Sequence, residues 1–421
     1  MALGTEDLSA RLEQYRADYK RLLDEGLSLD LTRGKPSAAQ LDLANPLLGL
    51  PGEDGFRTAD GTDARNYGGL QGLPELRAIW GPLLGVPADQ LITGGNSSLA
   101  VMHDCVVNAL LNGTTDGPRW VDAPSVAFLC PVPGYDRHFG ICERFGIEMI
   151  PVPLNDDGPD LATVRELAAG DARIKGMWCV PKYSNPTGIS YSDEVVRGLA
   201  SMPTAAPDFR LFWDNAYGLH HHGETRAEIA DVLALATEAG SPDRPLLFAS
   251  TSKITLAGSG VSFFGGSPAN VEWLLAHLQK RTIGPDKVNE LRHARFLPDA
   301  DAVRAHMDEH AAILRPKFDA VHEILTERLG DSGVGSWTRP DGGYFISLDV
   351  LDGCASRVVA LAKDAGVALT PAGATHPYGN DPADRTIRIS PSFPPIDELT
   401  AATRALATCV LLAAAEKLTA R

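Results

Sequence analysis

Between about Gln90 and Gly266, short apolar runs alternate with stretches of helical pattern, and this alternation constrains the chain more than any other feature. Five such runs are Leu91-Ile92, Met149-Ile150-Pro151-Val152, Met177 to Val180, Leu211 to Trp213 and Leu246 to Ala249. A strand buried on both faces reads as a continuous apolar run, and parallel neighbours need a crossover that is commonly a helix. The pattern therefore predicts an α/β fold whose large domain holds a mainly parallel sheet wrapped by helices. In such a sheet, ligands bind at the carboxyl ends of the strands. Tyr183-Ser184-Asn185-Pro186-Thr187-Gly188 comes after the third run, Asp214-Asn215-Ala216-Tyr217 after the fourth and Ser250-Thr251-Ser252-Lys253 after the fifth. All three polar clusters point to one rim.

After Pro298 the pattern changes. Val303 to Leu329 reads as one long helical segment interrupted by Pro316, which is expected to kink or restart it because proline lacks the N–H and crowds the preceding turn. This segment is the expected connector between domains. Tyr344 to Leu348, Val367 to Leu369 and Thr386 to Ile389 read as strands of a smaller α+β domain, closed by an alanine- and leucine-rich helix. At the other end Leu8, Leu12, Tyr15, Tyr19 and Leu22 recur at helical spacing and predict an amphipathic helix that packs on a later domain. The expected division is residues 1–45 as an N-terminal helix and arm on the small domain, 46–300 as the large domain and 301–421 as the small C-terminal domain. At 421 residues and 44% hydrophobic, the chain can fill two cores.

Charge and cysteine usage narrow the function. With 54 Asp+Glu against 38 Lys+Arg the formal net charge is −16, which repels nucleic acid and anionic lipid at long range, so an anionic ligand needs a local site. Six cysteines form no Cys-x-x-Cys pair and several fall in apolar runs, as expected of buried thiols in a reducing compartment. The opening Met1 to Asp7 lacks a basic stretch and an apolar core, and no uninterrupted apolar run approaches the roughly 20 residues of a membrane helix. The expectation is a cytoplasmic protein with neither nucleic-acid nor membrane partner. His220-His221-His222 reads as a polar loop near the surface; consecutive histidines do not converge on one ion, and no metal site is assigned.

A lysine at a strand end, flanked by hydroxyls and by Gly258-Ser259-Gly260, suits an amine that condenses with an aldehyde beside a bound phosphate. Together, Asn185, Asp214, Tyr217 three residues on and Lys253, 39 positions after the aspartate, resemble the pyridoxal 5′-phosphate site of fold-type I aminotransferases. The motif order from about Leu31 to Arg388 is similar to that family. Leu31-Thr32-Arg33-Gly34-Lys35-Pro36, Asn66-Tyr67-Gly68-Gly69-Leu70-Gln71-Gly72, Ser252-Lys253-Ile254-Thr255 and Ile283-Gly284-Pro285-Asp286-Lys287 resemble the bacterial subgroup Ic aspartate aminotransferases.

The resemblance implies a role for each matching position. Lys253 would form the internal aldimine and move the proton between the substrate α-carbon and the cofactor, while Asp214 would face the pyridine nitrogen and keep it protonated. Asn185 and Tyr217 would hydrogen-bond the phenolic oxygen, and Tyr135 would stack on the ring, with His138 supporting the aspartate. The phosphate would rest on Gly95, Asn96 and Ser97, with Ser98 nearby, at the start of a helix beginning around Leu99, and Ser250 and Ser252 would add hydroxyls. Tyr67 would reach the phosphate of a neighbouring subunit, which implies a homodimer with shared active sites. Gly34, Asn185 and Arg388 would bind the substrate, Arg388 through its α-carboxylate. One departure stands out: most members of the family carry a phosphate-clamping arginine about eight residues after the lysine, where this chain, like the resembling subgroup, has Ala257-Gly258-Ser259-Gly260-Val261.

The implied activity is pyridoxal-phosphate-dependent transfer of the amino group between aspartate or glutamate and 2-oxo acids (2-oxoglutarate, oxaloacetate) by a ping-pong route. A second carboxylate needs a second cation, and Arg33, Arg137, Lys182, Arg281 and Lys287 all sit near rim loops without one being singled out. The alternatives are an aminotransferase for aromatic or alanine-type donors and a pyridoxal-phosphate lyase. A transcription factor with an aminotransferase-like sensor domain fits poorly, because only one acidic-to-neutral helical segment precedes Thr32.

Overall fold

The computed structural model describes residues 5–420; residues 1–4, on which part of the expectation for Met1 to Asp7 falls, and Arg421 lie outside the described residues. The strands are β1 (Leu29–Asp30), β2 (Leu91–Gly94), β3 (Ala127–Val132), β4 (Glu148–Asn155), β5 (Gly158–Pro159), β6 (Ile174–Cys179), β7 (Arg210–Asp214), β8 (Pro245–Ser250), β9 (Ser262–Gly265), β10 (Gly335–Trp337), β11 (Ile346–Val350), β12 (Val367–Ala368) and β13 (Thr386–Ile389). Eight of them form one sheet in the order β2-β9-β8-β7-β6-β3-β4-β5. The pairs β4–β3, β3–β6, β6–β7 and β7–β8 are parallel. β9 lies antiparallel between β8 and β2, and β5 is antiparallel to β4 at the far edge.

Successive side chains on a strand face opposite ways, and here both faces are apolar. Met177, Leu211, Trp213 and Leu247 enter one core. Phe128, Trp178, Phe212 and Phe248 enter the other, where Phe212 lies 5.4 Å from Phe128 and 5.8 Å from Phe248, ring centre to ring centre. Each such ring contributes about 1.5–3 kcal/mol on burial. The same alternation sets the side taken by the polar residues at a strand end: Asp214 stands on the Phe212 side of β7, and Asn215 continues the Trp213 side.

The remaining core joins the antiparallel sheet β10-β11-β13 to the helix Ile396–Thr419 and to the N-terminal helix Thr5–Asp24. The two helices pack together, Tyr19 Oη donates to the Leu361 carbonyl at 2.9 Å, and β1 pairs in parallel with β12. The helix Ile396–Thr419 is long and apolar enough by composition to cross a bilayer, yet 78% of its most apolar window is buried inside the protein, as in a core helix. All six cysteines are buried.

Two expectations are corrected. The helix Ala300–Leu329 runs unbroken for 30 residues through Pro316. Its first half anchors in one core through Val303 and Met307 and its second in another through Leu314, Phe318, Val321 and Leu325, so packing on both sides outweighs the roughly 3 kcal/mol that an internal proline costs. The histidine run is not a surface loop: His220 is 1% and His222 2% exposed. The His222 backbone N–H donates to the Asp341 carbonyl at 2.9 Å and its ring lies 3.9 Å from that of Phe318, so the segment is covered by the chain that precedes β11.

Candidate active site

The carboxyl ends of β6, β7 and β8 enclose, with the start of the helix Ser98–Asn112, a cavity of about 170 Å³. Ser97, Ser98, Tyr135, Asn185, Asp214, Tyr217, Ser252 and Lys253 line it together. At one end, Asp214 Oδ2 accepts a hydrogen bond from His138 Nε2 at 3.0 Å, which fixes that imidazole tautomer. The His138 ring stacks on Trp178 at 4.4 Å, with 11° between planes, and meets the edge of Tyr135 at 4.9 Å. Trp178 was hidden in the sequence as one more residue of an apolar run.

Asp214 Oδ1 is buried without a hydrogen-bond partner among the described residues. A buried carboxylate oxygen left so is costly, and a donor entering from the cavity removes the cost. Lys253 Nζ lies 4.9 Å from the centre of the Tyr217 ring. Burial lowers the pKa of this amine, with the Asp214 carboxylate opposing, which favours the neutral, nucleophilic form. Burial drives the Tyr217 hydroxyl well above its ordinary value and, helped by Asp214 and Asp136, pushes Tyr135 up to about 12. Both phenols are therefore donors at neutral pH.

The other end of the cavity is made of hydroxyls and backbone. Ser97 caps the helix Ser98–Asn112, its side chain accepting from the Ala100 N–H at 3.4 Å. Gly95 takes φ 60°, a left-handed conformation that suits glycine. Gly95 and Asn96 line a neighbouring cavity of about 300 Å³ that Ser97 shares and Arg281 borders. Asn96 Nδ2 donates to the Gly258 carbonyl at 3.2 Å, drawing the glycine-rich stretch across this end. Ser250 Oγ lies 2.8 Å from Ser252 Oγ but does not line the cavity. Among the described residues, Lys253 is the one cationic side chain in the lining.

Arg388 adjoins the cavity from β13, 8% exposed, where it pairs across the sheet with Ser347. Its Nη1 donates to Asp136 Oδ1 at 3.1 Å and to Asn185 Oδ1 at 3.4 Å, and Nη2 to Thr370 Oγ1 at 3.2 Å. Nε is buried without a hydrogen-bond partner among the described residues, and the guanidinium lies 5.0 Å from the Phe345 ring centre. Gly34 passes over that same ring so closely that a Cβ would stand 2.1 Å from Phe345 Cζ, a spacing only glycine permits. Sequence reading missed Asp136, the acidic partner of Arg388, for which the chain carries no local signal.

Tyr67 does not line the cavity of its own chain and is 80% exposed. Lys287 Nζ braces it by donating to the Asn66 and Gly68 carbonyls, both at 2.6 Å. That engagement occupies one candidate for a distal cation. Lys182 borders a separate cavity with Trp213 and Asn215, on the opposite side of β7 from Asp214. Arg281 is held by Asp104 at 3.0 Å, Arg33 pairs with Asp30 at 2.8 Å, and Arg137 is exposed beside Asp136.

Comparison with known proteins agrees with this architecture. The family model described as aspartate amino-transferase matches residues 3–421. A Mycolicibacterium smegmatis protein assigned provisionally to the aminotransferases is 58% identical over 420 residues, 99% of this chain and 98% of the relative. The aspartate aminotransferase of Corynebacterium glutamicum is 52% identical over 99% of this chain and 97% of its own. The crystal structure of an aspartate transaminase from C. glutamicum, also 52% identical, superposes with a TM-score of 0.97 over 99% of this chain and 98% of that one. At 22% identity, the α-aminoadipate aminotransferase of Thermus thermophilus shares the fold, with a TM-score of 0.75 over 99% of this chain and 98% of that one. The chain belongs to the aspartate aminotransferase family, within the fold-type I pyridoxal-phosphate enzymes.

Proposed function

We propose that this protein is an aspartate aminotransferase, moving the amino group between aspartate or glutamate and the matching 2-oxo acids on pyridoxal 5′-phosphate. One observation carries the reading: the partnerless Asp214 Oδ1 and the Lys253 amine share one buried cavity with Arg388 at its edge. The residues fit the cofactor. Asp214 would hold the proton of the ring nitrogen, kept in place by His138, while the Tyr135 ring would cover the cofactor and Asn185 and Tyr217 would donate to its ring oxygen. Ser97, Ser252 and the helix start at Ser98 would hold the phosphate, with Gly95, Asn96 and Ser250 shaping that end. Bound there, the cofactor supplies an electron sink for the bond broken at the substrate α-carbon.

Lys253 Nζ, whose neutral form burial favours, would take the proton from the α-carbon and return it on the other side of the transfer. Arg388 binds the α-carboxylate as its Asp136 contact yields, with Gly34 giving the arm a close approach. The exposed, braced Tyr67 supports a homodimer in which it completes the partner's site. Separate cores on the two faces of the large sheet and around the small sheet support the division into an arm (1–45), a cofactor-binding domain (46–300) and a small domain (301–421), and six buried cysteines fit a cytoplasmic location. The test is donor and acceptor profiling of the holoenzyme. Aspartate and glutamate should exceed alanine and phenylalanine in kcat/KM, and replacing Arg33 or Arg137, whose chain neighbours Gly34 and Asp136 lie beside Arg388, should lower the aspartate-to-alanine ratio. A wild-type preference for neutral donors would move the assignment to the aromatic or alanine-type reading.

A further inference from the structure

Lys253 reaches into the cavity, but its backbone is gripped by side chains that do not line it. The Lys253 carbonyl accepts from His220 Nε2 and from Tyr344 Oη, each at 3.2 Å. The next carbonyl, of Ile254, accepts from His306 Nε2 at 2.7 Å and His310 Nε2 at 3.0 Å. Two successive carbonyls of a turn that also carries the reactive amine are thus held by four buried side chains. A stable turn needs far less.

The donors and acceptors behind this grip lead to the N-terminal arm. Gln40, fully buried in the helix Ala38–Asp42, places its amide nitrogen 3.1 Å from His310 Nδ1 and 3.0 Å from Tyr344 Oη. An amide NH2 has two protons and no acceptor, so His310 Nδ1 must accept, which puts the ring proton on Nε2, within reach of the Ile254 carbonyl at 3.0 Å and of His306 Nε2 at 3.2 Å. Likewise Tyr344 accepts from Gln40 and gives its own proton to Lys253. Both Gln40 protons are used, and its Oε1 accepts the Ser37 N–H at 3.1 Å. Burial keeps His310 neutral, with a pKa of about 4, as this arrangement requires. The segment running back from Gln40 is the one that lays Gly34 on Phe345 beside Arg388, and its Lys35 carbonyl accepts from Ser392 Oγ at 3.1 Å.

We infer that Gln40, His310 and Tyr344 are positioning residues that tie the turn carrying Lys253 to the arm carrying Gly34, holding the amine and the substrate-carboxylate contact in one register. The inference rests on the proposed roles of Lys253 and Arg388. Angstrom-scale misplacement of a reacting group costs large factors in rate, which is reason enough for so rigid a link.

The experiment compares holoenzymes carrying Tyr344→Phe, Gln40→Leu and both, with Lys253→Ala as reference. Tyr344→Phe keeps the ring and loses only the hydroxyl, so it carries the test if Gln40→Leu fails to fold. For each single variant kcat for aspartate should fall about tenfold with a rise in KM. The double variant should be no worse than the poorer single one, because both cut the same link. Amide exchange across residues 251–256 should quicken, and the absorbance titration of the cofactor-bound lysine should shift by roughly half a pH unit or more. A lowered Tm with kcat, KM, exchange and titration unchanged would overturn the inference and leave the network a packing feature. Lys253→Ala that keeps turnover and the wild-type spectrum would instead sink the lysine assignment, a separate outcome.

Discussion

The two ends of the cavity handle charge by different means. At the Asp214 end a buried carboxylate is fixed by one imidazole, itself stacked on Trp178, and keeps one oxygen free. At the Ser97 end a capped helix start and serine hydroxyls face the space where a dianion would sit, while Arg281 and Asp104 pair with each other outside this lining. The contrast comes from desolvation. An isolated buried charge is costly and must be oriented by a partner, whereas helix-end N–H groups are already fixed dipoles that need no counter-charge of their own. The Asp214 end should therefore govern rate, and the Ser97 end affinity for the cofactor.

Four substitutions can break or sharpen this contrast. The largest effect belongs to Lys253, which serves both ends: Lys253→Ala should lower steady turnover by about 10⁴-fold and remove the lysine-linked absorbance of the holoenzyme. Near wild-type turnover would end its assignment. Next, Asp214→Ala should lower kcat by roughly 10²–10³-fold while cofactor remains bound. An undiminished kcat there would erase the distinction between the two ends. His138→Phe should cost about tenfold in kcat, because it releases the carboxylate without removing it; an effect as large as that of Asp214→Ala would mean that the imidazole acts for itself.

The smallest effect is at the other end. Ser97→Ala removes a helix cap worth about 1 kcal/mol, so cofactor affinity should drop by roughly fivefold while kcat at saturating cofactor stays within about twofold. A fall in kcat larger than that of His138→Phe would reverse the comparison.

The parts of the fold legible in the sequence were those that local pattern dictates. β6, β7 and β8 are apolar on both faces, so they stood out as runs, and the residues after them had to lie on one rim. β9 did not stand out, since its four residues sit just behind a glycine-rich turn. The other misses share long separation: Arg388 meets Asp136 across 252 positions, and Gln40 meets His310 and Tyr344 across 270 and 304. No periodicity encodes such pairs; only the folded chain brings them together. The histidine run failed for the same reason, its cover at Phe318 and Asp341 lying about a hundred residues on.

The packing of the helix Thr5–Asp24 along Ile396–Thr419 sets an order of events during synthesis. The earlier helix docks against one made about 370 positions later (396 minus 24), so it waits unsupported while the segments between them are made. The large sheet, complete by Gly265, can collapse on its own elements in the meantime. The core around the small sheet cannot, because the helix Ile396–Thr419 at its centre has yet to be made. Synthesis of that helix, rather than the assembly of the sheet, is then the event that closes this core.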